Sequence, residues 1–141
     1  YKTSYGMPDG SDIQIDQERF LVPELLFHPN LDQIEIESLP EAIVESIMTC
    51  DMEVRSKLME QIFLTGGGSM FPQLELRLKT ELEMQFMKKY KINADIHILA
   101  PRERIFSNWV GGSILSMIPE FQNQWVTRSQ YYRDGLAENL Y

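Results

Sequence analysis

The chain has one cysteine, Cys50, and two histidines, His28 and His97. A single thiol cannot close an internal disulfide, and no Cys or His residues cluster at metal-ligand spacing. A disulfide framework and a structural zinc are therefore not expected, and a reducing compartment fits best. Cys50 reads as a small buried or half-buried filler. Basic residues are also scarce: 13 Lys and Arg stand against 21 Asp and Glu, for a net charge of −8. That balance repels phosphate backbones and anionic lipid and supplies no basic stripe, so protein partners are expected, without direct nucleic-acid or membrane contact. No apolar run approaches the roughly 20 residues that a bilayer requires. There is no internal repeat and no low-complexity tract. Tyr1-Lys2-Thr3-Ser4 is neither a signal peptide nor an initiator start, which leads us to expect a piece of a longer chain.

What is present suffices for one ordinary core. Of 141 residues, 43% are hydrophobic and 11% aromatic, and mean hydropathy is −0.27, the balance of a folded water-soluble chain. The most informative stretch is Ile62-Phe63-Leu64-Thr65-Gly66-Gly67-Gly68-Ser69-Met70-Phe71-Pro72. A short apolar strand runs into three glycines and a Met-Phe pair before a new helix begins. Glycine permits positive φ and close backbone approach, strand-end N–H groups can face a nucleotide, and Met70 and Phe71 can line an apolar slot for a base. A glycine-rich strand-to-helix turn without a ligand is the competing reading.

Element signals alternate along the rest of the chain. Pro8-Asp9-Gly10 is a turn signal beside Asp12-Ile13-Gln14-Ile15-Asp16, whose alternation predicts a half-buried strand at a hairpin end. Residues 18–27 place Phe20, Leu21, Val22, Leu25, Leu26 and Phe27 around Pro23, which predicts two short helical turns broken by the proline. His28 reads as a loop histidine, and the polar residues 31–37 as an exposed connection. Ser38 and Glu41 have capping-box spacing with Pro40 in the first turn, and Ile43, Val44, Ile47 and Met48 share the face of a helix ending near Cys50. Asp51 is a natural cap for a helix over 52–60 with Val54, Leu58 and Met59 facing inward, followed by a strand over 61–65.

After the glycines, Leu74, Leu78, Leu82 and Phe86 recur every four residues, and Arg77 can pair with Glu81, and Glu75 with Lys79. This is the clearest amphipathic helix in the chain. Residues 87–91 read as a small basic loop, and 94–99 as a strand with Ile96 and Ile98 on one face and His97, a weak site candidate, on the other. The last third carries Ser107-Asn108-Trp109-Val110-Gly111-Gly112-Ser113-Ile114-Leu115-Ser116-Met117-Ile118. Its spacing is helical, yet each glycine inside a helix costs roughly 1 kcal/mol relative to alanine. Gly111 and Gly112 in succession therefore predict a second backbone packed against them, and Trp109 is expected to serve the core. Pro119 stops that helix, Phe121 and Trp125 are aromatic anchors, and Thr127 with Gln130 caps a last helix ending at Gly135.

Taken in order, Pro8-Asp9-Gly10, Glu18-Arg19-Phe20, Pro23-Glu24-Leu25-Leu26-Phe27-His28-Pro29, Ser46-Ile47-Met48-Thr49-Cys50-Asp51, Leu64-Thr65-Gly66-Gly67, Ala100-Pro101-Arg102-Glu103-Arg104, Trp109-Val110-Gly111-Gly112-Ser113-Ile114-Leu115 and Trp125-Val126-Thr127 resemble the C-terminal part of actin. The resemblance runs from about Tyr5 to Gly135 and is closer to an actin-related protein than to conventional actin. Where the family has Met-Tyr-Pro-Gly, this chain has Met70-Phe71-Pro72-Gln73, which keeps an aromatic wall and loses the hydroxyl. Ile105 stands where actin has a lysine along the adenine, so the slot implied here is more apolar. Leu31-Asp32-Gln33-Ile34-Glu35 replaces actin's apolar plug with a segment too acidic to bury cheaply in a like-charged partner. The connection 86–93 is longer than in actin, and the tail 136–141 does not resemble the actin ending.

The resemblance implies an α/β, actin-like ATPase fold with ribonuclease-H-like lobes, of which this chain supplies only the C-terminal portion. Residues 1–37 would end the outer subdomain of the nucleotide cleft and cross from it, 38–106 would form the inner subdomain of the large lobe, and 107–141 would be C-terminal helices returning to the other lobe. ATP or ADP with magnesium is the implied cofactor. Gly66 and Gly67 would contact the sugar and nearest phosphate, and Met70 and Phe71 would cover the base beside Ile105. The groups that organise the metal and the attacking water would lie upstream of Tyr1, so no catalytic residue or metal ligand is nominated. Val110, Ile114, Leu115 and Ile118 match the helix lining the cleft where partner helices insert and neighbouring subunits dock. Ordinary core is the competing reading for those four.

Three functions are compatible with that frame. The first is a cytoplasmic structural protein of the cytoskeleton that binds ATP, forms or caps filaments, or serves in a motor-associated or axonemal complex, with actin-like subunits or a multi-subunit complex as partners. Pro23-Glu24-Leu25-Leu26-Phe27 and the tryptophan-led helix favour it. The alternative is a nuclear actin-related subunit of a chromatin-remodelling or histone-acetyltransferase complex, to which the acidic segment and the longer connection point. A turning-over phosphotransferase is disfavoured by the actin-type C-terminal helix, although slow ATP hydrolysis stays open for the full protein.

Overall fold

Two antiparallel strands, β1 (Thr3–Gly6) and β2 (Asp12–Ile15), open the computed structural model, which describes residues 2–135. The tail 136–141 lies outside those residues. Thr3 pairs with Ile15 and Gly6 with Asp12. The predicted turn closes the hairpin: the Asp9 carboxylate accepts from the Ser11 N–H at 2.9 Å and the Ser11 hydroxyl at 2.7 Å, while Gly10 takes φ +84°. Those hydrogen bonds hold the Asp9 carboxyl below its ordinary pKa. Ile13 is exposed and only Ile15 half-buried, so the strand covers less than its alternation predicts.

Helix α1 (Glu18–Glu24) runs through Pro23 as one piece instead of breaking there. The proline sits in the final turn, where its missing N–H removes a single bond and the helix ends one residue later. Phe27 then turns into the core, and a one-turn helix over Pro29–Asp32 leads into residues 31–37, all exposed as expected. Helix α2 (Leu39–Thr49) starts as its sequence dictates: the Ser38 N–H and hydroxyl donate to Glu41 Oε2 at 2.9 and 2.7 Å, Pro40 fills the first turn, and Val44 and Ile47 are buried. The Ser38 hydroxyl, and then its N–H, lower the Glu41 pKa.

Helix α3 (Met52–Met59) departs from expectation. Val54 and Leu58 are exposed and only Met59 is partly buried against the core. This short helix is held at its beginning, where Arg55 Nε donates to the Cys50 carbonyl at 2.9 Å, and at its end, where the Met59 carbonyl accepts from the His97 N–H at 3.0 Å. The strands expected over 61–65 and 94–99 contract to β3 (Ile62–Phe63) and β4 (Ile98–Leu99), paired in parallel with Ile62 opposite Ile98 and Phe63 opposite Leu99. Ile96 is fully buried outside the strand.

Helix α4 (Leu74–Tyr90) carries the apolar ridge that its period predicts: Leu78, Leu82 and Phe86 are completely buried and Leu74 nearly so. It packs on α2 and on β4. Each buried side chain contributes on the order of 1.5–3 kcal/mol through removal of apolar surface from water. Polar links flank the ridge, with Arg77 bridging Glu24 at 3.0 Å and Glu81 at 2.9 Å, and Lys89 reaching Glu45 of α2 at 2.7 Å. Lys79 pairs with Glu83 at 3.7 Å in place of the expected Glu75. Residues 87–90 extend the helix where a basic loop is expected, because Lys88 and Lys89 suit the partial negative charge of a helix C-terminus; Lys91, at φ 59°, ends it.

The chain finishes with α5 (Ser107–Met117), α6 (Pro119–Gln122) and α7 (Arg128–Asp134), the last capped by Thr127, whose hydroxyl accepts from the Gln130 N–H at 3.3 Å. Helix α5 packs on α6 and contains no buried residue. The close backbone expected at Gly111 and Gly112 is not there, since a Cβ on either would meet nothing within 4 Å. Trp109 is 76% exposed and not a core residue among the described ones. Trimming the α4 ridge tests the core directly: Leu82→Ala in the full-length protein is expected to lower unfolding stability by about 2–5 kcal/mol, read as a reduced midpoint in urea.

Candidate functional site

The glycine loop is anchored before it begins. At the end of β3 the Leu64 N–H donates to the Leu99 carbonyl at 2.9 Å, fixing the chain beside β4. Gly66 then adopts φ +80° and ψ 164°, a region open to glycine and strained for any residue with a Cβ. Its N–H is already used, donating to the Arg104 carbonyl at 2.8 Å, and its carbonyl accepts from the Ser69 N–H at 3.1 Å and the Ser69 hydroxyl at 2.8 Å. The Gly66 N–H and carbonyl are thus both engaged within the protein, and its backbone angles shape the loop. A one-turn helix over Gly67–Ser69 follows, and Gln73 at φ 61° turns the chain into α4.

Arg104 braces this loop from the far side, which the sequence did not single out. Its Nε lies 3.1 Å from Ser69 Oγ, its Nη2 donates to the Ser69 carbonyl at 3.0 Å, and its Nη1 donates to the carbonyls of Ala100 at 3.2 Å and Pro101 at 3.1 Å. These partners are all neutral oxygens, and Ser69 is only 8% exposed. The signal lay within Ala100-Pro101-Arg102-Glu103-Arg104, but an arginine in a charged loop reads as solvated surface until its acceptors are placed.

Ile105 is brought to the loop by the residue before it. A Cβ on Gly67 would stand 3.9 Å from Ile105 Cγ1 and Cδ1, so Gly67 and Ile105 form one surface. A Cβ on Gly66 or Gly68 would meet nothing within 4 Å, and the N–H groups of Gly67 and Gly68 make no hydrogen bond among the described residues. Met70 and Phe71 are partly exposed just beyond. Phe71 also borders a groove of about 530 Å³ between α1 and α4, opposite Phe20, Pro23 and Phe27. The Arg77 guanidinium lies 4.8 Å from the centroid of the Phe27 ring.

Open space, free donors and apolar side chains suit a nucleotide: the N–H groups of Gly67 and Gly68 could meet sugar or phosphate oxygens, and Met70, Phe71 and Ile105 could meet a base. Among the described residues no group of three His, Cys, Asp or Glu is placed to hold a metal ion. On α5, Val110, Ile114, Leu115 and Ile118 are all exposed and form an apolar stripe that no described residue buries. His28 lies in its loop 3.5 Å from Glu24, and His97 is exposed 3.2 Å from Asp95.

The loop makes an asymmetric prediction. Gly66→Ala is expected to destabilise the full-length protein by about 1–3 kcal/mol through its backbone angles, whereas Gly68→Ala should stay within about 0.5 kcal/mol of wild type. Equal melting temperatures for the two variants would contradict the assignment of strain to Gly66.

Comparison with known proteins places the chain in a family. The family model described as Actin matches residues 1–137. Actin-related protein 4 of Oryza sativa subsp. indica and that of Oryza sativa subsp. japonica are each 34% identical to this chain over 149 aligned residues, covering 96% of it and 33% of the relative. The chain thus spans about a third of the length of the curated relatives it matches. With a family match over nearly all its residues, mixed helix and strand, and the glycine loop set against Ile105, the chain belongs to the actin family and carries part of the actin-like α/β ATPase fold.

Proposed function

We propose that this chain is the C-terminal, nucleotide-contacting portion of a nuclear actin-related protein that serves as a structural subunit of a chromatin-remodelling or histone-acetyltransferase complex. This reverses the order in which the sequence alone ranks the nuclear and cytoskeletal readings. What reverses the order is the similarity to relatives named actin-related protein 4, and the segment 31–37, where actin has an apolar plug, fits that side. Here it is exposed throughout and presents Asp32, Glu35 and Glu37. Burying those carboxylates against another copy of a chain with net charge −8 would be costly, so packing of one strand of subunits against another is opposed. Similarity to two proteins named actin-related protein 4 supports the same side.

In this reading the nucleotide is a structural ligand. Gly66 shapes the loop, Gly67 and Gly68 offer N–H donors, and Met70, Phe71 and Ile105 shield the base from water. Bound ATP would supply negative charge and a phosphate group; magnesium would take its ligands from outside this chain. The stripe Val110, Ile114, Leu115 and Ile118 would receive an amphipathic helix from a partner subunit. The cytoskeletal reading keeps Pro23-Glu24-Leu25-Leu26-Phe27 and the α5 stripe in its favour, yet both suit a complex-bound monomer equally.

Sedimentation of the full-length protein with ATP and magnesium separates the two. The nuclear reading predicts that the protein stays in the supernatant and copurifies with a helicase-containing assembly from nuclear extract. A polymer pellet would return the cytoskeletal reading to first place.

A further inference from the structure

We infer that Arg104 is the positioning residue of the nucleotide loop, acting through Ser69 and not by touching the ligand; this rests on the nucleotide reading proposed above. Its guanidinium joins two segments that are distant in sequence. One edge grips Ser69, through Nε to Oγ at 3.1 Å and Nη2 to the carbonyl at 3.0 Å. The other edge grips the carbonyls of Ala100 and Pro101 through Nη1 at 3.2 and 3.1 Å. The backbone carbonyl of the same residue takes the Gly66 N–H at 2.8 Å, so Arg104 holds the loop at both its first glycine and its serine. Gly67 and Gly68 lie between those two grips, and their N–H groups are the ones left free for a ligand.

This arrangement addresses a problem that three consecutive glycines create. Such a segment has many accessible backbone states, and a ligand that had to select one of them would bind more weakly by the entropy of ordering it. A planar fork with several fixed donors can hold three carbonyl groups and a hydroxyl at once, which the point charge of lysine cannot. The Ser69 hydroxyl completes the brace, donating to the Gly66 carbonyl at 2.8 Å while it accepts from Arg104. Arg104 thereby selects the loop shape in advance, and Ile105 is delivered to the floor of the site by the same turn.

The test uses full-length protein, magnesium and the fluorescent ATP analogue etheno-ATP, with Arg104→Ala, Arg104→Lys, Ser69→Ala and the double variant Arg104→Ala/Ser69→Ala. Arg104→Ala should raise the Kd by at least about tenfold, the change expected for losing a charged, half-buried brace. Arg104→Lys should recover part of that loss. The double variant should be no weaker than Arg104→Ala alone, because both substitutions break one brace. Melting curves without nucleotide provide the readout for a role confined to folding. Losses in affinity that simply follow the melting temperature, or that add in the double variant, would overturn the inference. Equal affinity in wild type and Arg104→Ala would overturn it alone, whereas wild-type protein that does not bind the analogue would overturn the nucleotide reading and this inference together. Ser69→Ala, the mildest change, should fold normally and weaken binding less than Arg104→Ala; unchanged affinity in it would contradict the brace even if Arg104→Ala fails to fold.

Discussion

The buried ridge of α4 is the constraint on which the other elements hang. Leu78, Leu82 and Phe86 reach complete burial between α2 and the segment around Ile96, and the helix also packs on β4. Because β4 pairs with β3, and β3 runs directly into the three glycines, the loop is pinned on its upstream side by the strand pair and on its downstream side by α4. Arg104 closes the third side. A flexible sequence acquires a definite shape because each neighbour is held by something buried. Loosening the ridge would move the strand pair, and the loop with it.

Local chemistry made about half of this legible from sequence. The four-residue recurrence from Leu74 to Phe86, the Ser38 and Glu41 capping box, the Asp9-Gly10 turn and the Thr127 cap depend on residues within one turn of each other, and each stands where its spacing places it. Expectations that relied on distant partners fared worse. Val54, Leu58 and Trp109 look like core residues by type, but burial depends on what comes to cover them, and the described residues leave all three exposed. The two strands shrink to two residues each, because strand length is set by pairing and not by β propensity alone. Arg104 was invisible for the same reason: its Ser69 acceptors lie 35 positions away.

The exposed apolar faces follow from the same physics. Phe63 and Leu99 on the strand pair and the stripe on α5 have helix or strand geometry but no cover, in a chain that spans about a third of its relatives. Large uncovered apolar surfaces usually meet another surface, whether from the same polypeptide or from a partner. The acidic segment 31–37 differs from them in kind. It is an acidic surface standing where the family resemblance places an apolar contact, and its charge sets it apart from the uncovered apolar stripe on α5.

We propose that the glycine loop and Ile105 form the floor of a nucleotide site. Photolabelling of the full-length protein with 8-azido-ATP, followed by peptide mass spectrometry, tests it most directly. Adducts are expected on peptides containing Met70, Phe71 or Ile105, and should be lost when excess ATP is added. Labelling confined to other peptides, or labelling that ATP does not displace, would contradict it.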